Sequence, residues 1–104
     1  MNGLKKDVRS LAGGLASRVK KLNNPTFEML VCPPAPLVGL VSEVVKGSGI
    51  AVGGQDCHDK EAGAHTGDIS AALFKSMGCK YVIVGHSERR TDHAETDKVV
   101  KAKA

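Results

Sequence analysis

Apolar residues recur along the first fifth of the chain at helical steps. Leu4, Val8, Leu11, Leu15, Val19 and Leu22 follow at intervals of four, three, four, four and three, with lysines and arginines between them. That spacing predicts one amphipathic helix. Gly13 and Gly14 interrupt the stripe at a cost of about 1 kcal/mol each relative to alanine, so packing must hold it. Asn23-Asn24-Pro25 is its expected end. Phe27 to Cys32 then reads as a short strand, stopped by Pro33-Pro34. Leu37, Leu40, Val41, Val44 and Val45 form a second helical stripe, closed by Gly47 and Gly49.

Ile50 to Gly54 predicts a second buried strand, whose paired glycines imply a close approach of another group to the backbone. Residues 55 to 68 are polar and Gly-containing, a longer connection than a strand–helix step needs, and long ordered loops tend to carry function. Ser70 is placed to cap a third helix through Leu73, Phe74 and Met77, ended by Gly78. Tyr81 to Val84 is apolar at every position, as expected of a parallel strand covered on both faces. Thr96 is placed to cap a fourth helix carrying Val99, Val100 and Ala102.

The order α-β-α-β-α-β-α predicts an α/β fold with a parallel sheet and right-handed crossovers. In such folds ligands gather at the carboxyl ends of the strands. Those ends are Cys32-Pro33, Gln55-Asp56 and Gly85-His86, and the third is by far the richest. Three strands between flanking helices leave two open sheet edges, to be covered by a partner or by further chain.

Composition narrows the function. The formal charge is +4, but no basic run is interleaved with aromatics, so nucleic acid is not an expected partner. Lys5, Lys6, Lys20 and Lys21 read as a solvated helix face. Cys32, Cys57 and Cys79 are odd in number and widely spaced, which suits reduced thiols and a cytoplasmic setting. No apolar run is long enough to cross a membrane, and the Met1–Lys6 start lacks a secretory apolar core.

His86 stands where a helical turn could begin, followed by Ser87 and Glu88. Backbone N–H groups at such a turn favour the neutral imidazole. A neutral ring can donate to a substrate carbonyl or pass a proton between oxygens; it can equally brace its own loop. A Ser-His-Glu relay from three adjacent residues is disfavoured, because neighbours do not aim their side chains at one another in that way. Cys57 and His58 are neighbours, and Asp56, Cys57, His58 and His65 lack paired zinc-type spacing, so a polar loop is expected there ahead of a metal site. Gly53-Gly54 and Gly63 make neither a dinucleotide fingerprint nor a Walker motif. Arg89 and Arg90 could hold phosphate, but such a pair more often tethers a loop by pairing with carboxylates.

Y-V-I-V-G-H-S-E-R-R at 81–90, preceded by G-G-Q-D at 53–56 and G-A-H-T-G-D-I-S-A at 63–71, resembles the triosephosphate isomerase family, bacterial type. M-N-G at the start, V-C-P-P at 31–34 and E-T-D-K-V-V-K-A-K at 95–103 extend the resemblance over almost the whole chain. It implies a partial TIM (β/α)8 barrel, covering strands two to four, with residues 1–104 as one incomplete barrel domain. It also implies interconversion of dihydroxyacetone phosphate and glyceraldehyde 3-phosphate through an enediolate, without cofactor or metal. A neutral histidine electrophile is an established attribute of that family, and it comes with the resemblance rather than from the spacing. His86 matches that electrophile, with Ser87 and Glu88 as supporting groups. His65, Thr66 and Gly67 match a loop that reaches into the other subunit of a homodimer.

The family's barrel needs about 250 residues. Nothing here matches its first strand with the N-x-K motif, its general-base glutamate, its lid or its glycine-rich phosphate loops. The expectation is therefore a piece of a longer isomerase, inactive alone. The alternative is a non-catalytic α/β binding or assembly module derived from the barrel.

Overall fold

The computed structural model describes residues 2–22 and 25–104. Among the described residues nine elements follow in order. Helix α1 spans Lys5–Lys21, strand β1 Leu30–Val31, a 3-10 turn Ala35–Leu37, and helix α2 Val38–Val44. Strand β2 spans Ala51–Gly54, helix α3 Ala71–Ser76, strand β3 Tyr81–Val82, and helices α4 and α5 cover Ser87–Asp92 and Asp97–Lys103. The strands form one parallel sheet in the order β1-β2-β3, with Leu30 opposite Ala51 and Gly53 opposite Tyr81. The α/β class and parallel sheet expected from the alternation are present.

Helix α1 starts where the Asp7 carboxylate reaches back to accept the Leu4 N–H at 2.8 Å, and it ends with Arg18, Lys20 and Lys21 near its negative pole. Its packed face differs from the leucine stripe. Val8, Ala12, Ala16 and Val19 are buried, with Leu15 partly so, whereas Leu4, Leu11 and Leu22 are exposed. Small side chains let α1 lie close to α2, and a β-carbon on Gly13 would stand 3.8 Å from Val44 Cγ1. Leu4 and Leu11 instead line an apolar groove of about 270 Å³ against Pro33, Pro34 and Leu37. Asn23 and Asn24, the expected end of this helix, lie outside the described residues.

Strand β1 is shorter than the expected Phe27–Cys32, and Phe27 is exposed. It has β2 as a neighbour on one side and a free edge on the other. In α2 the buried positions are Val38 and Val41, with Val45 just beyond; Gly47 and Gly49 take positive φ and turn the chain, as the sequence indicated. In α3, Ser70 caps as expected, its Oγ accepting the Leu73 N–H at 3.2 Å. Only Phe74 of that short helix is buried; Leu73 and Met77 face outward.

The expectation for Tyr81–Val84 is corrected. β3 has two residues, and Tyr81 (47%) and Ile83 (37%) are exposed while Val82 and Val84 pack against the core. One face of the strand meets the helices and the other is open. Helix α5 keeps its Thr96 cap, whose Oγ1 accepts the Val99 N–H at 3.4 Å. Helix α4 is an additional element between β3 and α5.

Candidate active site

The carboxyl ends of β2 and β3 open onto a cavity of about 620 Å³ lined by Asn2, Gln55, Asp56, Ile83, His86, Glu88, Arg89, Asp92 and His93. Gln55 braces its rim, its Nε2 donating to the Cys32 carbonyl at 3.0 Å and so tying the ends of β1 and β2 together.

His86 is the N-cap of α4, and its Nδ1 accepts the Glu88 N–H at 3.2 Å. An accepting Nδ1 carries no proton, which puts the proton of the neutral ring on Nε2. That N–H is the donor His86 can offer to the cavity. One ring nitrogen thus braces the turn, as the bracing reading expected. The Glu88 carboxylate lies 3.9 Å from Nδ1, too far for a hydrogen bond, and is largely exposed. Ser87 is the first residue of α4 and is also exposed.

The turn into His86 depends on Gly85, whose φ of +68° places it in the left-handed region. A β-carbon there would stand 2.8 Å from Val100 Cγ1. Arg90 Nε donates to the Gly85 carbonyl at 3.0 Å, while its Nη1 reaches Asp97 at 2.7 Å. Arg90 therefore pins the turn to α5, and the tethering reading of the arginine pair holds.

Arg89 belongs to a second cluster beneath the cavity. Its Nε lies 2.7 Å from Glu95 Oε1 and 2.9 Å from Asp56 Oδ2. Lys103 Nζ donates to Asp56 at 2.7 and 2.9 Å and to Glu95 at 2.5 Å. The Glu95 and Lys103 side chains are 6% and 7% exposed, which makes this a buried ion network. Hydrogen bonding from Lys103 holds the Glu95 carboxyl below its ordinary value, against the opposing effect of burial. Burial works against the Lys103 charge, yet hydrogen bonds to Asp56 and Glu95 outweigh it and raise that pKa. The network joins the end of β2, the new helix α4 and α5. Sequence reasoning missed Glu95 and Lys103. The signal available was one acid of two and one lysine of three in residues 95–103, indistinguishable by spacing from solvated charges.

The three thiols are free, and burial raises the pKa of each. Cys57 is buried away from any ligand cluster, and Asp56 is engaged by Arg89 and Lys103, so the four residues weighed for a metal do not assemble. His58 and His65 do meet, with Asp68 as their third neighbour. His65, Thr66 and Gly67 lie in a stretch, 61–68, that is exposed throughout. No described helix is long and apolar enough to cross a membrane.

A profile of the triosephosphate isomerase family matches residues 1–104. The triosephosphate isomerase of Gluconacetobacter diazotrophicus is 48% identical over 103 residues, covering 99% of this chain and 41% of that protein. That of Afipia carboxidovorans is 52% identical over 106 residues, covering 100% of this chain and 41% of that protein. The crystal structure of triosephosphate isomerase from Bartonella henselae superposes with a TM-score of 0.87 at 42% identity, over 99% of this chain and 41% of that one. The chain thus spans about 41% of the length of the proteins it matches. With a matching profile, a shared parallel β/α arrangement and the histidine turn at a strand's end, the chain belongs to the triosephosphate isomerase family and forms part of its TIM barrel.

Proposed function

We propose that residues 1–104 are one incomplete barrel domain of an isomerase that interconverts dihydroxyacetone phosphate and glyceraldehyde 3-phosphate. The observation that carries this reading is the His86 hydrogen bond, which leaves an Nε2–H beside the cavity at the strand ends. In the proposed reaction that N–H polarises the substrate carbonyl while a carboxylate base removes a proton from the adjacent carbon. The negative charge developing on oxygen is then met by a preorganised donor. The ring can next pass a proton between the two enediolate oxygens. Ser87 and Glu88 support His86 as members of its turn, Glu88 through the backbone N–H that fixes the tautomer.

Abstraction needs the base within hydrogen-bond reach of the substrate carbon, and this chain offers no carboxylate matching that role. Turnover therefore requires the remainder of a barrel of the relatives' length, and the chain alone is inactive. The exposed loop at His65, Thr66 and Gly67 fits a subunit-pairing element of a homodimer, and three free thiols suit a reducing cytoplasm.

The test is a chimera in which residues 1–104 replace the matching segment of the Gluconacetobacter diazotrophicus enzyme. Isomerase activity is expected in the chimera and absent from the 104-residue chain. His86→Gln in the chimera is expected to lower kcat by about 10²–10⁴-fold, the range for a positioned acid–base group. A chimera whose kcat ignores His86→Gln, or turnover by the isolated chain, would overturn the assignment.

A further inference from the structure

The loop between β2 and α3 holds two of the chain's four histidines, and neither lines the cavity around His86. The His58 and His65 rings stack with centroids 4.0 Å apart and planes at 30°. Asp68 completes the group: one ligand atom from each of His58, His65 and Asp68 lies within 4.8 Å of the other two. Backbone contacts hold them there. The His58 N–H donates to the Ile69 carbonyl at 2.9 Å, and the Asp68 N–H to the His65 carbonyl at 3.0 Å. Gly63, at φ +139°, leaves room for the His65 ring, which a β-carbon would crowd at 3.1 Å. His58 Nε2 and Asp68 Oδ2 stand 3.9 Å apart, too far for a hydrogen bond and open to a bridging ion.

We propose that His58, His65 and Asp68 bind a divalent transition-metal ion of the zinc, cobalt or nickel class. Two imidazoles and one carboxylate suit those ions, whereas calcium and magnesium prefer all-oxygen sites. Tetrahedral bonds of about 2.0–2.1 Å place ligand atoms roughly 3.3 Å apart, so modest side-chain rotation in this exposed loop closes the group. The fourth position goes to water.

His58 also has a carboxylate behind it. Its Nδ1 lies 3.2 Å from Asp59 Oδ1 and accepts the Lys60 N–H at 3.0 Å. Without metal the accepting Nδ1 leaves the proton on Nε2. When the ion takes Nε2, that proton moves to Nδ1 and is donated to Asp59, the Lys60 N–H giving up Nδ1 and turning to water; this is the carboxylate–histidine–metal arrangement that orients metal ligands. No net proton is gained or lost at His58. The bound ion clamps residues 58, 65 and 68 around Thr66 and Gly67. The site shares its loop with the proposed subunit-pairing element, while its ligand chemistry does not depend on the isomerase reaction.

The test titrates the chimera carrying residues 1–104 with zinc chloride by calorimetry and with cobalt chloride by absorption, with the parental Gluconacetobacter diazotrophicus enzyme as the blank. One ion per chain is expected, with micromolar affinity. His65→Ala and Asp68→Asn should each weaken binding at least about tenfold, and Asp59→Asn by about 10–100-fold, as for other carboxylates behind a ligating histidine. His93→Ala, a histidine outside the group, should leave binding unchanged. His65 and Asp68 are exposed, and far-ultraviolet circular dichroism of each variant checks that folding is intact. No saturable binding below millimolar metal would overturn the proposal. So would binding indifferent to His65→Ala, or a thiolate-to-cobalt charge-transfer band placing the ion on Cys32, Cys57 or Cys79.

Discussion

The ring of Phe74 lies against the backbone of Gly54, so close that a β-carbon on that glycine would stand 2.8 Å from two ring carbons. Phe74 is 2% exposed, and through this contact it fastens α3 to the last residue of β2. Gly54→Ala forces the ring out of its place, an overpacking cost of about 1–3 kcal/mol. In the chimera the urea midpoint is expected to fall, and Phe74→Leu in the same protein should recover part of the loss. An unchanged midpoint in Gly54→Ala would show that the ring has room to move.

The buried network sets a pH window for stability. Glu95 has a folded pKa below its ordinary 4.5, so its contribution is complete above that value and is lost as pH falls through the depressed one. Lys103 has a folded pKa above its ordinary 10.5, so its contribution is complete below 10.5 and is lost as pH rises through the elevated value. Glu95→Gln leaves Lys103 and Arg89 facing Asp56 alone. Breaking a buried pair from one side costs about 3–5 kcal/mol. Urea midpoints of the chimera across pH should show a large loss near neutrality and a flatter acid limb in the variant. Parallel acid limbs would remove Glu95 as the titrating group.

Gly85 is the turn on which His86 hangs. Gly85→Ala adds about 1–2 kcal/mol of left-handed strain, beyond the clash with Val100. Both effects displace the histidine turn, so in the chimera kcat should fall more than stability alone explains. Val100→Ala in the same background relieves the clash but not the φ requirement, and only partial recovery is expected.

In isolation the chain is expected to associate. β1 and β3 are the edge strands of the sheet, and Leu30, Tyr81 and Ile83 are exposed large apolar residues on or beside them. Unpaired edges are templates for further pairing. Sedimentation at rising concentration should show species heavier than the 10.9 kDa monomer, reduced by Tyr81→Lys. A single monomeric species with cooperative unfolding would refute this.

Local chemistry was legible in the letters. Ser70 and Thr96 cap their helices because a hydroxyl just before a helix can satisfy a free N–H whatever lies around it. Gly47, Gly49 and Gly78 turn the chain because a left-handed residue is cheapest without a side chain. The strand–helix alternation gave the parallel sheet, and the glycine pair of β2 announced a close contact without naming Phe74. Four apolar residues at 81–84, in contrast, read as a strand covered twice. Apolarity records what a face can meet, not whether this chain supplies the partner.

By itself, then, the sequence determined the order of the three strands and the helices between them, several caps and turns, and the block that puts His86 at the end of a strand. All of these rest on interactions within a few residues or on a contiguous motif. Only the tertiary structure decided which face of α1 is buried, because Ala12 and Ala16 win by size what the leucines suggested by hydrophobicity. It alone brought Asp56 to Lys103, 47 positions along the chain, and His58 beside His65 and Asp68. Charge and ligand partnerships of that kind depend on where the backbone returns, which no local spacing encodes.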